Sequence, residues 1–283
     1  MLTKSEQLQL LRNDVTAWNQ WRNENGNIEL DLSGGDLAGL DLTAADLIVV
    51  NLTGANLAEA NLTGADFRGS ILRGANLFAA YLAEASLSHA KLIAANLARA
   101  NLTGATLASA NLVRANLTGT KLFQANLSST DLTAADLGAA RLTAANLANA
   151  TLVQTKLIGT NLKQATLTNA NLQGAILRGA NLKQANLENA NLSSTDLTGA
   201  DFSGANLTAA ILSQAIAHHT TFRRSILTGA CVEKWQINRS SDFQGVQCDH
   251  IFDEPSRRSP SRADKSFGTF GFNKWLIDYL KDY

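Results

Sequence analysis

The stretch "NLTGANLAEANLTGADF", Asn51 to Phe67, repeats a five-residue unit three times and then begins a fourth copy. The unit has Asn or Asp at position 1, Leu or Phe at position 2, variable residues at positions 3 and 4, and a small residue, nearly always Ala, at position 5. Position 2 is Leu or Phe in every copy from Leu32 to Leu212, and the register runs on to Val232 without an insertion. A period of five fits neither an α-helix nor a β-strand.

Winding the chain so that each unit forms one side of a square satisfies this period. Positions 2 and 5 then face a narrow lumen, and the chain turns a corner at positions 3 and 4. Four sides make a coil of twenty residues, and successive coils stack at the spacing of β-strands, about 4.8 Å. Residues 30–234 predict about ten such coils, or roughly 50 Å of stacked chain. At close-packed density a residue larger than Ala would clash at position 5.

The pattern A-N/D-L-x-x, as in "ANLAE", "ANLTG" and "ADFRG", resembles the pentapeptide-repeat family. The resemblance covers residues 30–234. It implies an all-β solenoid, a right-handed quadrilateral β-helix, and the right hand is taken from the family alone. Proteins of this kind are abundant in photosynthetic bacteria, and most have no known biochemical activity.

The first segment, residues 1–29, predicts an N-terminal capping α-helix over the open end of the solenoid. Thr3 and Glu6 have the spacing of a capping box. Apolar residues recur at helical spacing at Leu8, Leu11, Val15 and Trp18. The sequence "AWNQWRNEN" is similar to a lead-in found before many pentapeptide solenoids, which favours a cap over a membrane-surface or calmodulin-type helix.

After Val232 the register slips by one residue, and "SDFQG" and "VQCDH" centre on Phe243 and Cys248. We therefore predict a repeat domain at 30–234, a distorted final coil at 235–252, and a linker with a short C-terminal helix at 253–283. Aromatic and apolar residues at helical spacing indicate that helix: Phe272, Trp275, Leu276 and Tyr279. It would pack back on the solenoid or bind a partner.

Composition excludes several classes of function. The net charge is zero and aromatic residues make up 6% of the chain, so direct nucleic-acid binding is not expected. Neither an export signal nor an apolar run long enough for membrane insertion is present, which predicts a cytoplasmic protein. Cys231 and Cys248 are expected to be reduced, mostly buried thiols, with a disulfide or redox switch as the alternative.

The sequence offers no specific constellation for catalysis, cofactor binding or metal binding. His218 and His219 are adjacent and lack a third ligand nearby. Ala217 stands where a lumen Leu is expected, which leaves a small gap unless Ile216 turns inward. We predict that the protein is not an enzyme.

Residues twenty apart should stack in columns on one wall. Three columns stand out: an amide ladder at Asn56, Asn76, Asn96 and Asn116; an apolar stripe at Ile93, Val113 and Val153, suited to a homodimer or another partner; and a basic column at Lys163, Lys183 and Arg223 with Arg224 beside it. The basic residues Lys163, Lys183, Arg223 and Arg224 are the candidate partner-binding site. A solvated charged wall is the simpler interpretation of the same residues.

These features favour a non-enzymatic protein-interaction or scaffold module that binds an unidentified protein partner. The resemblance implies an alternative, because some pentapeptide-repeat proteins act as DNA mimics that bind or protect DNA gyrase. A mimic needs an acidic face. At positions 3 and 4, up to residue 224, three acids stand against nine bases. The acids are Glu59, Glu84 and Glu188, and the bases are Arg68, Arg73, Arg99, Arg114, Lys163, Arg178, Lys183, Arg223 and Arg224.

Overall fold

The computed structural model describes residues 2–26, 28, 30–254, 257–259 and 276. The chain divides into two compact units, Met1–Asn146 and Leu147–Tyr283. The elements of the first unit are α1 (Lys4–Asn13), α2 (Val15–Glu24), β1 (Leu30–Asp31) and β2 (Val50–Asn51). Those of the second unit are β3 (Ile216–Ala217), β4 (Gln236–Ile237), β5 (Ile251–Glu254) and β6 (Arg257–Ser259).

Parallel pairing between residues twenty apart builds each unit. In the first unit β1 pairs with β2, and position-1 residues form single bridges such as Asp36 with Asn56. In the second unit the same spacing pairs Thr151 with Asn171, and β3 with β4. Most sides contribute one bridged residue rather than a continuous strand. The twenty-residue coil of a β-helix solenoid is therefore confirmed within each unit.

Backbone hydrogen bonds between coils use three of the five N–H groups in a side. In the repeat Asn96–Ala100, the N–H of Asn96 donates to a carbonyl of the preceding coil at 2.9 Å. The N–H groups of Leu97 and Arg99 donate to carbonyls of the following coil at 2.7 and 2.9 Å. A buried backbone N–H without an acceptor is costly, so this pattern ties every coil to both of its neighbours.

The other two N–H groups close the corner of the same side. Ala100 donates to the carbonyl of Leu97 at 3.0 Å, and Ala98 donates to the Oδ1 atom of Asn96 at 3.2 Å. Only a short side chain with an oxygen at this distance can accept the second bond, which explains the preference for Asn or Asp at position 1. All five N–H groups are thereby satisfied.

Position 4 adopts the left-handed backbone conformation, which glycine accepts without strain. Gly104 has φ of 68°, but Arg99 and Ala79 adopt φ of 62° and 54° at the same place in the repeat. The corner and the coil stack impose this conformation on non-glycine residues too. Position 4 therefore accepts a range of side chains.

The lumen is filled by the residues that the sequence predicts. Every Leu and Phe at position 2 from Leu32 to Leu212 has no exposed surface. Where Ser or Thr replaces Ala at position 5, its hydroxyl finds a backbone acceptor, as when Ser70 donates to the carbonyl of Phe67 at 2.7 Å. Ala217 is buried, while Ile216 remains partly exposed and does not turn inward.

The prediction of a single capping helix was wrong, because the chain breaks at Asp14 into α1 and α2. Asp14 is extended, with φ of −157°, and its carboxylate accepts from the N–H groups of Thr16 and Ala17 at 2.8 and 3.0 Å. It is the N-cap of α2. The capping box of Thr3 and Glu6 is present at the start of α1.

The first coil has no coil before it. Side chains of α1 and α2 take the place of that missing neighbour. Arg12 donates to the Asp36 carbonyl at 2.7 Å, and the indole N–H of Trp18 donates to the Asp46 carbonyl at 2.7 Å. Asn19 accepts from the Asp46 N–H at 2.8 Å and donates to a nearby carbonyl at 3.0 Å. The helices thus satisfy backbone groups that stacking would otherwise leave unpaired.

At the end of the second unit the pairing distance changes from twenty to twenty-one residues, as Thr221 pairs with Asp242. The extra residue lies after Ile237, in a turn where the Ser241 N–H donates to the Asn238 carbonyl at 2.9 Å. This insertion accounts for the slip in the sequence register.

Residues 253–254 and 257–259 fall within the predicted linker, but they lie in β5 and β6, which pair antiparallel. The rest of 253–283 lies outside the described residues apart from Leu276, so the predicted C-terminal helix lies outside them as well. The four segment boundaries proposed from the sequence stay predictions.

We expect Ala105→Leu, which places a larger side chain in the lumen, to lower the free energy of unfolding by about 1–3 kcal/mol, because the close-packed coil cannot widen. Ala105 has no exposed surface. The matched control is Ala108→Leu at a partly exposed position 3 of the next side. Chemical denaturation followed by circular dichroism measures both. Equal midpoints for the two variants would contradict a tightly filled lumen.

We expect Asn19→Leu to cost about 1–3 kcal/mol, because it removes both hydrogen bonds to the first coil and leaves backbone groups unpaired. Asn23→Leu is the control, since Asn23 is exposed on the same helix. Hydrogen exchange should show faster exchange of the Asp46 amide in the first variant only. Unchanged protection of that amide would show that Asn19 does not cap the coil.

Candidate functional site

The structure places the four predicted residues Lys163, Lys183, Arg223 and Arg224 on one wall of the second unit, where they line a single open groove. The groove has a volume of about 770 Å³. Its lining residues come from consecutive coils of that wall: Lys163, Lys183, Gln184, Ser203, Gly204, Arg223, Arg224, Gln244 and Gly245.

Small residues form the middle of the groove. Ser203 and Gly204 occupy positions 3 and 4 of the coil between Lys183 and Arg223, and Gly204 has φ of 68°. At the spacing of β-strands, the backbones of Lys183 and Arg223 are two coils apart, or about 10 Å. The short side chains leave a depression with a cation on either side.

Lys183 is held by a neighbouring carboxylate. Its Nζ atom lies 3.1 Å from Oδ2 of Asp201, a position-1 residue of the next coil. Burial disfavours the ionised form of Asp201, but hydrogen bonds from Ser203 and Lys183 outweigh that effect, and the pKa of this carboxyl is lowered. Asp201 is therefore ionised at neutral pH, and the ion pair fixes the direction of the lysine.

Arg223 is held in the same way by Asp242, which accepts from its Nε atom. The pKa of Asp242 is lowered, chiefly by a hydrogen bond from the backbone N–H of Gln244, with Arg223 adding to the effect. The contact uses only one of the five guanidinium N–H groups. The terminal nitrogens of Arg223 stay available to a ligand.

Two further cations have no such partner. Among the residues that the structure describes, Lys163 and Arg224 form no ion pair, and both are exposed. Gly245 lies beside Arg224 on the wall, where a Cβ atom added to the glycine would contact Cγ of the arginine at 3.4 Å. The groove consequently has four cations against the two carboxylates Asp201 and Asp242.

A stack of aromatic rings lies directly behind this wall in the lumen. Phe202 and Phe222 are stacked with ring centroids 5.2 Å apart, and Phe222 and Phe243 with centroids 5.1 Å apart. Trp235 meets Phe222 edge-on at 5.2 Å. Each Phe immediately precedes a residue of the groove, so ring packing supports the backbone that carries Arg223 and its neighbours on the adjacent coils.

Sequence reasoning missed part of this groove. Gln244 and Gly245 lie beyond the inserted residue, so columns counted in steps of twenty do not reach them; a step of twenty-one from Arg223 and Arg224 does. It also left position 1 out of the count of surface charges. Asp31 and Lys91 show that position 1 reaches the surface.

Positions 3 and 4 hold three acids and nine bases up to residue 224, and position 1 adds nine acids and four bases over the same range. Acids and bases at the surface of the repeats are therefore nearly equal in number. The added acids are Asp31, Asp36, Asp41, Asp46, Asp66, Asp131, Asp136, Asp196 and Asp201, and the added bases are Lys91, Lys121, Arg141 and Lys156.

The predicted amide ladder is confirmed in the first unit. Asn76, Asn96 and Asn116 each donate from Nδ2 to Oδ1 of the residue twenty positions earlier, at 3.1, 3.0 and 3.2 Å. Asn56 donates in the same way to Asp36 at 3.0 Å. The ladder therefore links successive coils of the first unit through their side chains.

The residues of the predicted apolar stripe are partly exposed, and its role in association stays a prediction. Ile93 and Val113 are only partly exposed in the first unit, and Val153 is partly exposed in the second. The large apolar side chains that are most exposed lie elsewhere, at Val49, Tyr81, Phe123, Ile158 and Ile211.

Both cysteines are free thiols. Cys248 is buried, and burial raises its pKa to about 12, so the thiol is protonated at neutral pH. Cys231 is partly exposed, and its Sγ lies 3.3 Å from Oγ of Ser213.

Within the described ranges, His, Cys, Asp and Glu form no group of three that would hold a metal ion, so His218 and His219 gain no third ligand. None of the described helices has the length and apolarity of a membrane span.

The model of a known family, described as pentapeptide repeats, matches this chain in overlapping segments from residue 29 to residue 234. The chain belongs to the pentapeptide-repeat family. Among curated proteins no significant match is found.

Three solved structures illustrate the likeness of this pentapeptide-repeat protein to others. The first is HetL from the cyanobacterium Nostoc sp. strain PCC 7120, a pentapeptide repeat protein involved in heterocyst differentiation regulation. It is 29% identical to this chain, and the match covers 84% of this chain and 97% of HetL with a TM-score of 0.44. Rfr23 from the cyanobacterium Cyanothece 51142 is 30% identical over 40% of this chain and 64% of its own, with a TM-score of 0.30. QnrB1, a plasmid-mediated fluoroquinolone resistance protein, is 18% identical over 78% and 90%, with a TM-score of 0.43.

We expect Phe222→Leu to destabilise the second unit by about 0.5–1.5 kcal/mol more than Phe67→Leu destabilises the first, because only Phe222 loses ring stacking. Phe67 is buried in the lumen away from that stack. The unfolding free energies of the two variants, with Trp235 fluorescence as a local probe, provide the comparison. Equal losses would show that the stack adds nothing beyond burial.

Proposed function

We propose that this pentapeptide-repeat protein is a non-enzymatic interaction or scaffold module that binds a protein partner through the basic groove. The observation that carries the proposal is the arrangement of Lys163, Lys183, Arg223 and Arg224 on a single wall. Two of these cations are fixed by ion pairs and two have no ion-pair partner among the described residues. Charges presented by a rigid surface bind a partner at a lower entropic cost than charges on mobile loops.

The repeat supports this role because it separates stability from recognition. The side chains at positions 1, 2 and 5 close the corner and fill the lumen, whereas those at positions 3 and 4 face outward at fixed spacing. Side chains at positions 3 and 4 therefore vary without altering the coil. A wall of this kind suits binding to an extended segment of a partner.

The finer architecture and the location belong to the same proposal. We infer a right-handed quadrilateral β-helix of about ten coils, because the family match runs from residue 29 to residue 234 and each coil takes twenty residues. A cytoplasmic location agrees with free thiols at Cys231 and Cys248.

The alternative of a gyrase-binding DNA mimic is less favoured by the charges. A mimic must present an acidic face in place of phosphate charge. Acids and bases at the surface of the repeats are instead nearly equal in number, and the groove is basic. Inhibition of gyrase supercoiling by micromolar protein would support the mimic and displace our proposal.

We expect reversal of Lys163, Lys183 and Arg223 to Glu to abolish partner binding, because it places three acids beside Asp201 and Asp242. The measurement is quantitative co-purification from a lysate of the source cells, with the intact chain and the reversed variant compared side by side. Proteins lost by more than about tenfold in the variant identify the partner.

A control variant with the same change in net charge keeps this test specific. It carries three exposed residues of the first unit reversed to Glu: Arg73, Arg114 and Lys121. The proposal requires that the control variant still recovers the proteins that the groove variant loses. If the groove variant and the control recover the same proteins in the same amounts, the groove is not the binding site.

A further inference from the structure

We propose that the groove binds a phosphorylated side chain of the partner, with the phosphate seated over Ser203 and Gly204. This inference rests on the proposed function and names the chemistry of the partner. A phosphoserine or phosphothreonine has a charge of about −1.5 to −2 at neutral pH and three acceptor oxygens. The groove offers a matching excess of positive charge, and its lysine and arginine side chains can donate hydrogen bonds to the phosphate from several sides.

The first argument is charge. Asp201 and Asp242 each neutralise one cation, Lys183 and Arg223 respectively, and their lowered pKa values keep them ionised. Lys163 and Arg224 remain unpaired among the described residues, so the groove has an excess of two positive charges. A single carboxylate would leave part of that excess uncompensated, whereas a phosphate dianion matches it.

The second argument is geometry. Lys183 lies on one side of the depression and Arg223 on the other, with backbones about 10 Å apart. A tetrahedral phosphate over Ser203 and Gly204 lies between these two cations and can accept hydrogen bonds of about 2.8 Å from the N–H groups that their ion pairs leave free. Because Asp242 occupies only Nε of Arg223, the terminal nitrogens can donate to two phosphate oxygens.

The third argument is the floor of the depression. Gly204 has no side chain, and a Cβ atom placed there would meet Cγ of Gln184 at 3.6 Å. Ser203 turns its hydroxyl back to Oδ1 of Asp201 instead of into the groove. A ligand group therefore reaches close to the backbone of this coil, between the two layers of cations.

The shape of the groove favours a peptide over a nucleic acid. From Lys163 to Gln244 the groove crosses five successive coils, or about 19 Å, which is the length of about six residues of extended chain. Its lining contains no aromatic side chain on which a base could stack. One phosphate on an extended peptide fits this surface better than a strand with a phosphate at each nucleotide.

The experiment uses the full chain and degenerate nine-residue peptide libraries that differ only at the central residue, which is serine, phosphoserine or phosphothreonine. Peptides retained on the immobilised protein are identified by mass spectrometry and then measured by fluorescence anisotropy. We expect phosphorylated peptides to bind at least about tenfold more tightly than their unphosphorylated counterparts. Equal retention of the three libraries, or no retention, would overturn the inference.

A variant that leaves both ion pairs intact tests the site. Lys163→Gln with Arg224→Gln removes the two unpaired cations, and glutamine already occurs at these repeat positions at Gln173 and Gln164. We expect at least about tenfold weaker phosphopeptide binding and recovery of most of it with Lys163→Arg and Arg224→Lys. Arg73→Gln with Arg114→Gln is the control, since Arg114 occupies the same left-handed position 4 with φ of 58°.

Two further arms separate the outcomes. Inorganic phosphate should compete with the phosphopeptide only at millimolar concentration, and a single-stranded oligonucleotide should bind more weakly than the peptide. Tighter binding of the oligonucleotide would reject the phosphopeptide in favour of a nucleic acid. If the phosphopeptides fail while charge reversal still removes a partner from the lysate, the proposed function stands and the phosphate inference falls.

Discussion

Backbone hydrogen bonding between stacked coils is the constraint on which both units depend. Within a side such as Asn96–Ala100, three N–H groups bind neighbouring coils and two close the corner, so all five donors are paired. That arrangement favours an oxygen-bearing side chain at position 1 and a lumen filled by Leu and Ala. Positions 3 and 4 are free of these requirements, and the chain varies there.

The same division explains how a repetitive sequence acquires a specific surface. The walls are uniform in backbone and differ only in their outward side chains. In the second unit the uniformity is broken by three Phe residues in the lumen and one inserted residue after Ile237. Both irregularities lie next to the basic groove. The part of the lumen that departs most from the repeat therefore lies behind the part of the surface that departs most from it.

Much of this could be predicted because the repeat period is a strong signal. The lumen, the twenty-residue circuit and the amide ladder follow from residues that recur at fixed intervals. The break between α1 and α2 was not predicted, since apolar spacing continues across Asp14 and the cap depends on one local carboxylate. The ion pairs of Asp201 and Asp242 were missed because side-chain direction at position 1 is set by contacts between coils, which spacing alone does not show.

The helical cap also decides how copies of this protein can associate. An uncovered first coil would offer its carbonyls and amides as a template on which the last coil of another molecule could add, and repeated addition would produce an open filament. Arg12, Trp18 and Asn19 occupy those backbone groups from within the chain. End-to-end addition of other molecules is thereby blocked at that face. The block comes from the helices, so the repeats need no special residues to prevent it.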